Sequence, residues 1–183
     1  MRKAVNNALY KTTIRIGAGR LKQVLWYFCN ALVFRNPLVV PSGLKVSLLR
    51  MFGAKIGEGV LIKPCVNIKF PWKLEIGHHC WIGEGVWIDN LSGVKLGNSV
   101  TISQGALLLT GSHDHTRQTF DFMSSDIYLE DGVWIGAKAV VLGGVTCHSH
   151  AILGVSSVAA RDLDAYTIYQ GNPSIAVLER VIY

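Results

Sequence analysis

The sequence lacks several features that would have settled its class at once. No stretch of its 183 residues runs for the ~20 charge-free apolar positions that a membrane-spanning helix needs, although half of the residues are apolar and the mean hydropathy is +0.32. The most apolar early stretch, residues 24–33, is too short and too far from the start for a secretory signal, and no small-residue cleavage pattern follows it. A cytoplasmic protein is the expectation. The four cysteines, Cys29, Cys65, Cys80 and Cys147, show no C-x-x-C spacing, so neither a zinc knuckle nor a disulfide framework is indicated. They read as small buried apolar residues in a reducing compartment. Dense Lys/Arg clusters and aromatic-basic motifs are missing too, which argues against a nucleic-acid partner. The net charge of +6 instead suits a phosphorylated ligand or a membrane surface. Arg2, Lys3, Lys11, Arg15, Arg20 and Lys22 gather ahead of the apolar segment.

What is present is a period. Residues 1–20 are polar and basic without periodicity, as a mobile arm would be. Leu21, Val24, Leu25, Phe28 and Leu32 then have the spacing of a helix with one apolar face over residues 21–34. Pro37 and Pro41 break it, and a second helix over 44–52 stops at Gly53. From Ile56 an aliphatic residue recurs every six positions: Ile56, Ile62, Ile68, then Ile76, Ile82, Ile88, then Leu96, Ile102, Leu108, and again from Leu129 through Ile135, Val141, Cys147, Leu153 and Ala159. A glycine often follows, as at Gly57, Gly77, Gly83, Gly97, Gly136 and Gly154, where a backbone conformation closed to other residues is expected. A small or branched residue usually comes four places on.

Such a repeat takes precedence over local propensity. It describes an all-β, left-handed parallel β-helix: each hexad makes one flat strand and one corner, and three hexads close a triangular coil. Fifteen hexads give about five coils, stacked at the ~4.8 Å spacing that lets backbone amides pair. The expected organisation is a basic arm and helical cap over residues 1–54, the β-helix over 55–165, and a tail over 166–183 in which Ser174 caps a short closing helix. Departures from the period are informative. Ile68 to Ile76 and Ile88 to Leu96 are eight residues each, and Leu108 to Leu129 is twenty-one. All follow the third hexad of a coil, so the extra residues emerge along one edge. The largest is an extruded loop over 109–128 containing His113 and His115, with Asp89 and Asn90 expected one coil below its root.

The hexads, the histidine-bearing loop and the ending Tyr166-Thr-Ile-Tyr-Gln-Gly-Asn-Pro173 resemble the hexapeptide-repeat acyltransferases, and within them the colanic acid biosynthesis acetyltransferases of the WcaF type. The stretches that carry the likeness are Leu48-Leu-Arg-Met-Phe-Gly-Ala-Lys-Ile-Gly57, Phe70-Pro-Trp-Lys-Leu74, Thr110-Gly-Ser-His-Asp-His115 and Gly171-Asn-Pro173. The resemblance implies a homotrimer with acetyl-CoA in the groove between neighbouring prisms and a sugar or lipid-linked saccharide as acceptor. It implies that His113, five residues past the hexad residue Leu108, is the general base; neutral imidazole, with an unperturbed pKa near ~6.5, suits that task. Asp114 or a backbone carbonyl would fix its tautomer. Asp89, Asn90, Asp114 and His115 are the acceptor-site candidates. Ala137, Gly154, Val155, Ala160 and Arg161 resemble the positions that line the pantetheine arm and its phosphates. Ile175 stands where relatives often have a second basic residue.

Two other functions are compatible with such a prism. A metal hydratase of the γ-carbonic-anhydrase kind shares this prism but needs three converging histidines, which His113 and His115 do not supply; no metal is expected. A non-catalytic trimeric scaffold is the other. His78, His79, His148 and His150 read as corner or surface residues, and Trp72, Trp81, Trp87 and Trp134 as packing residues, in part between subunits. The N-terminal basic-apolar segment reads as a cap over the first coil, with a shallow membrane contact as its alternative.

Overall fold

The computed structural model describes residues 4–10, 12 and 14–183; Arg2, Lys3 and Lys11 of the basic arm lie outside them. Its body is the expected prism, a left-handed parallel β-helix. The first face carries Lys55–Ile56, Leu74–Ile76, Val94–Leu96, Ile127–Leu129 and Thr146–Cys147; the second carries Leu61–Ile62, Trp81–Ile82, Thr101–Ile102, Trp134–Ile135 and Ile152–Leu153; the third carries Asn67–Ile68, Trp87–Asp89, Leu107–Leu109, Val140–Leu142 and Val158–Ala159. Five coils are therefore complete. A sixth begins with Leu163, which bridges to Cys147, and continues with Thr167–Gly171 on the second face.

The register is that of the hexads. Ile88 lies between Ile68 and Leu108, and Ile135 between Ile102 and Leu153. The inward aliphatics are buried throughout, and Cys80 and Cys147 are buried among them as small apolar residues. Burial pushes the Cys147 thiol up to about 12. The glycines after the aliphatic positions have a different cause from the one expected. A Cβ at Gly77 would lie 2.4 Å from the Gly97 carbonyl oxygen of the coil above, so contact between coils, not backbone angle, demands glycine there. The left-handed residues come two positions later, His79 (φ 57) and Lys138 (φ 58) among them.

Two helices close the open N-terminal end. In every higher coil the carbonyl of the hexad aliphatic accepts an N–H from the coil beneath, as Gly57 donates to Ile76 and Lys63 to Ile82. Ile56, Ile62 and Ile68 have no coil beneath, and side chains take over. From α2 (Ser42–Met51), Arg50 Nη2 donates to the Ile56 carbonyl at 2.8 Å, and Lys45 Nζ reaches the Ile62 and Lys63 carbonyls. From α1 (Arg20–Cys29), the Trp26 indole donates to the Ile68 carbonyl at 2.9 Å. Lys45 is fully buried, and burial pushes its ammonium below the usual lysine range. The helix α2 ends in a Schellman turn, with Gly53 at φ 95 and Ala54 N–H bonded to the Leu49 carbonyl.

The face that docks is not the apolar stripe. The segment rests on Trp26 of α1 and on Asn30 and Phe34 of the π-helical turn Asn30–Phe34 that continues it, while Leu21, Val24, Leu25, Phe28 and Leu32 are exposed. The reason is hydrogen bonding: Trp26 and Asn30 have donors and acceptors for the open strand edge at Asn67 and Ile68, and the leucine stripe has none. The arm ahead of α1 is not free either. Asn6 N–H donates to the Gln118 carbonyl at 2.9 Å, Trp72 Nε1 to Ile16 at 2.7 Å, and Lys73 Nζ to Arg15 at 2.7 Å.

The expected C-terminal capping helix is not formed. Ser174–Glu179 is a strand, antiparallel to Thr167–Gly171 on the second face. Thr167–Gly171 pairs with Ile152–Leu153, and its own open outer edge is completed by a strand, whose amides meet it, whereas a helix keeps its amides to itself. Ile175 and Val177 suit the extended form. Arg180 then reaches back to the Gly132 and His150 carbonyls at 2.8 and 3.0 Å.

Candidate active site

The edge between the third face and the next first face carries the three insertions, and the lower two are bound into the fold. Asn90 is fully buried. Its Oδ1 accepts from Phe70 N–H at 2.9 Å and its Nδ2 donates to the Phe70 carbonyl at 2.7 Å, joining the second insertion to the first. Asp89 is 7% exposed and forms an ion pair with Lys69 at 2.8 Å; no hydrogen bond of good geometry reaches its Oδ1. Asp89 lies below Leu109, one coil under the loop root, as its register required. Within one chain both brace the stacked insertions, and Asn90 is fully buried.

The third insertion is itself a β-hairpin. Gly111–His113 pairs antiparallel with Phe122–Ser124, with His113 opposite Phe122. Its root is clamped from both sides. Thr110, 2% exposed, donates Oγ1 to the Asp89 carbonyl at 2.9 Å and accepts from Ser92 N–H at 3.0 Å. Asp126 accepts from Gly93 N–H at 2.7 Å, from the Ser92 hydroxyl, and from the Tyr128 hydroxyl at 3.2 Å. Burial opposes ionisation of Asp126, but these hydrogen bonds outweigh it and hold the carboxyl below the usual aspartate range. Neither Thr110 nor Asp126 stood out in the sequence, where each is one more polar residue in a polar loop.

His113 is half-buried in an aromatic setting. Its ring stacks on Phe120 with centroids 4.4 Å apart and planes at 4°, meets the edge of Phe122 at 5.7 Å, and has Tyr10 of the N-terminal arm at 5.9 Å. Nδ1 lies 2.9 Å from the Phe120 carbonyl oxygen. A carbonyl only accepts, so this contact assigns the proton to Nδ1 and leaves the Nε2 lone pair free. Phe120 holds a left-handed backbone (φ 49), an uncommon conformation for an aromatic residue and one that tends to cluster at functional positions. Of the two tautomer-fixing groups expected, the backbone carbonyl is the one in contact. Asp114 instead accepts from Thr116 N–H at 3.0 Å and its hydroxyl at 2.6 Å, and pairs with Arg117 at 3.3 Å. The Thr116 hydrogen bonds, with Arg117 beside them, keep its carboxyl below the usual range. His115 is exposed at the tip.

The donor-site candidates fall on two edges. Ala160 and Arg161 follow Val158–Ala159 on the His113 edge, both exposed, and Arg161 forms no ion pair among the described residues. Ala137, Gly154 and Val155 stand on the edge between the second and third faces, stacked in adjacent coils with Ser156 N–H donating to the Ala137 carbonyl at 2.9 Å. One prism does not bring the two sets together. Among the described residues no three His, Cys, Asp or Glu side chains gather as a metal-binding group, so the donor set of a metal hydratase is not found within one chain.

The left-handed β-helix with its extruded hairpin is the fold of the hexapeptide-repeat acetyltransferases. No family model matches the chain, but individual relatives do. It is 36% identical over 165 residues to the Escherichia coli (strain K12) protein named "Putative colanic acid biosynthesis acetyltransferase WcaF", covering 90% of this chain and 91% of that one. The galactoside O-acetyltransferase of the same strain is 26% identical over 136 residues, covering 73% and 67%. Among solved structures, a hexapeptide-repeat acetyltransferase of Vibrio cholerae complexed with acetyl coenzyme A superposes with a TM-score of 0.79 at 20% identity, covering 88% of each chain. A galactoside acetyltransferase in complex with coenzyme A gives 0.74 at 20%, covering 87% and 80%. The chain belongs to the hexapeptide-repeat acetyltransferase family, with the WcaF proteins among its relatives.

Proposed function

We propose that this protein transfers the acetyl group of acetyl-CoA to a hydroxyl of a sugar in exopolysaccharide biosynthesis, with His113 as general base. The observation that carries this reading is the contact of His113 Nδ1 with the Phe120 carbonyl. It holds the ring in one tautomer with Nε2 available for a proton. A sugar hydroxyl is a weak nucleophile until its proton has somewhere to go. Nε2 takes that proton as the oxygen attacks the thioester carbonyl; the imidazolium formed keeps its Nδ1–H on Phe120. When the tetrahedral intermediate collapses, the C–S bond breaks and the Nε2 proton passes to the departing thiolate, so His113 ends as it began. The oxyanion needs a donor, which we assign to a backbone N–H of a facing coil.

The donor is proposed to bridge two chains of a homotrimer. Arg161, exposed and without an ion pair, suits a phosphate, and Ala137, Gly154 and Val155 suit the pantetheine arm. Since the two sets stand on different edges of one prism, an acyl-CoA touching both needs one chain's His113 edge beside its neighbour's second edge. Exposed Trp81 and Trp134 on the second face and Trp87 on the third are consistent with packing between prisms. The aromatic surround of His113 suits the apolar face of a pyranose, free or lipid-linked. Four free thiols agree with a cytoplasmic site of action.

The test is CoA release from acetyl-CoA with a panel of nucleotide-linked and lipid-linked sugars. His113→Ala is expected to lower turnover by about 10²–10⁴ at unchanged thermal stability. Full turnover in that variant would remove the assigned base, and no release with any acceptor would favour a scaffold.

A further inference from the structure

The outward face of α1 is an amphipathic surface without a partner in the chain. At 3.6 residues per turn Leu21, Val24, Leu25 and Phe28 fall within about 100° of arc. Each is more than half exposed, and Leu32 extends the stripe at 68% exposure. Arg20 is exposed on one flank of this stripe, Lys22 on the other is half-buried with its Nζ 5.3 Å from the Trp72 ring centroid, and Arg15 and Arg35 are exposed near the two ends of the helix. The sequence on either side of it carries charge of one sign. Residues 1–57 contain ten Lys and Arg and no Asp or Glu, the first acidic residue being Glu58; the remaining chain contains eight basic and twelve acidic residues. The cap needs none of the stripe, because Trp26, Asn30 and Phe34 make its contacts on the opposite side.

We propose that α1 docks this protein on an anionic phospholipid surface, its leucine and phenylalanine stripe in the headgroup–acyl boundary and its flanking cations on lipid phosphates. Ten residues are too few to span a bilayer, and among the described residues no helix is long and apolar enough to cross one, so the helix lies in the interface plane. The choice of occupant rests on charge. A second copy meeting across this face would bring like charges together, which opposes association. An anionic leaflet attracts the same residues, each basic side chain near the surface adding to binding. The inference does not rest on acetyl transfer, since the stripe lies on the side of the helix away from Trp26, Asn30 and Phe34.

The experiment is sedimentation of the full chain with vesicles of phosphatidylcholine alone or mixed with phosphatidylglycerol, alongside light scattering for oligomeric state. Binding is expected with the mixed vesicles only and is expected to weaken as salt rises. The Leu25→Asp/Phe28→Asp variant is expected to lose about tenfold or more of that binding, with unchanged circular dichroism and unchanged turnover on a water-soluble acceptor. Should that variant fold poorly, Arg20→Gln/Arg35→Gln, at two exposed positions, serves as the second probe and is expected to weaken binding in the same direction. Three results overturn the proposal: no binding to mixed vesicles, binding that the folded variants leave intact, or variants that change the oligomeric state and not the vesicle binding.

Discussion

The two lower insertions and the hairpin emerge from the same edge of the prism, yet they treat their polar side chains differently. Below, Asn90 has its amide engaged with the Phe70 backbone and Asp89 is paired with Lys69. In the hairpin, Thr110 and Asp126 clamp the root and Asp114 ties the tip, while His113 keeps one ring nitrogen uncommitted. A polar residue in an irregular stretch is therefore a poor marker of function by itself. What distinguishes His113 is a ring fixed through Nδ1 by a backbone carbonyl while Nε2 has no hydrogen-bond partner among the described residues.

The comparison is broken most severely at its two extremes. His113→Ala should cost about 10²–10⁴ in turnover and little stability, since the ring is half-buried and the Phe120 carbonyl it leaves is only part-buried. Asn90→Ala should do the reverse. It strands the N–H and carbonyl of Phe70 in a buried setting, at about 1–3 kcal/mol of stability, read as a lowered midpoint of thermal or urea unfolding. Its turnover per folded molecule should remain near the parent's. An Asn90 variant that kept its stability and lost turnover would return Asn90 to the acceptor site.

Much of this was legible beforehand, and the boundary has a physical cause. The hexad period determines which residues face inward and which coils stack, because strand pairing in a prism follows directly from counting sixes. Asp89 below Leu109 was foreseeable for that reason. The period says nothing about which backbone atoms a given coil leaves open. Hence the apolar spacing over 21–34 indicates a cap but not the face that docks, which the open Ile68 carbonyl selects through Trp26. The sequence over 175–182 suggests a helix, whereas the open edge of Thr167–Gly171 calls for a strand. Within the hairpin, the residue that orients His113 acts through its main chain, and a carbonyl has no signature in a sequence.

A milder perturbation tests the clamp. The hydrogen bonds of Asp126 keep its folded pKa below the ordinary 3.8. Its contribution to stability is thus fully present above the unfolded value and is lost as pH falls through the folded one. Asp126→Asn should therefore destabilise the protein at neutral pH by about 1–2 kcal/mol, with the gap between parent and variant closing as pH drops below 3.8. Thermal unfolding of both across that range measures it. A gap independent of pH would mean that the carboxylate charge plays no part in holding the hairpin root.

The smallest expected effect is the most discriminating. An acidic residue next to a histidine invites assignment as its orienting partner, and Asp114 is adjacent to His113. Its carboxylate instead serves Thr116 and Arg117, on the exposed tip. Exposed charge pairs contribute little, because water competes for both partners. Asp114→Asn keeps the size of the side chain and an acceptor for Thr116, and should leave turnover within about threefold of the parent, with an unshifted pH profile. A loss on the order of a hundredfold, or a displaced alkaline or acidic limb, would move the tautomer-fixing role from the Phe120 carbonyl to Asp114 and make the hairpin tip part of the catalytic apparatus.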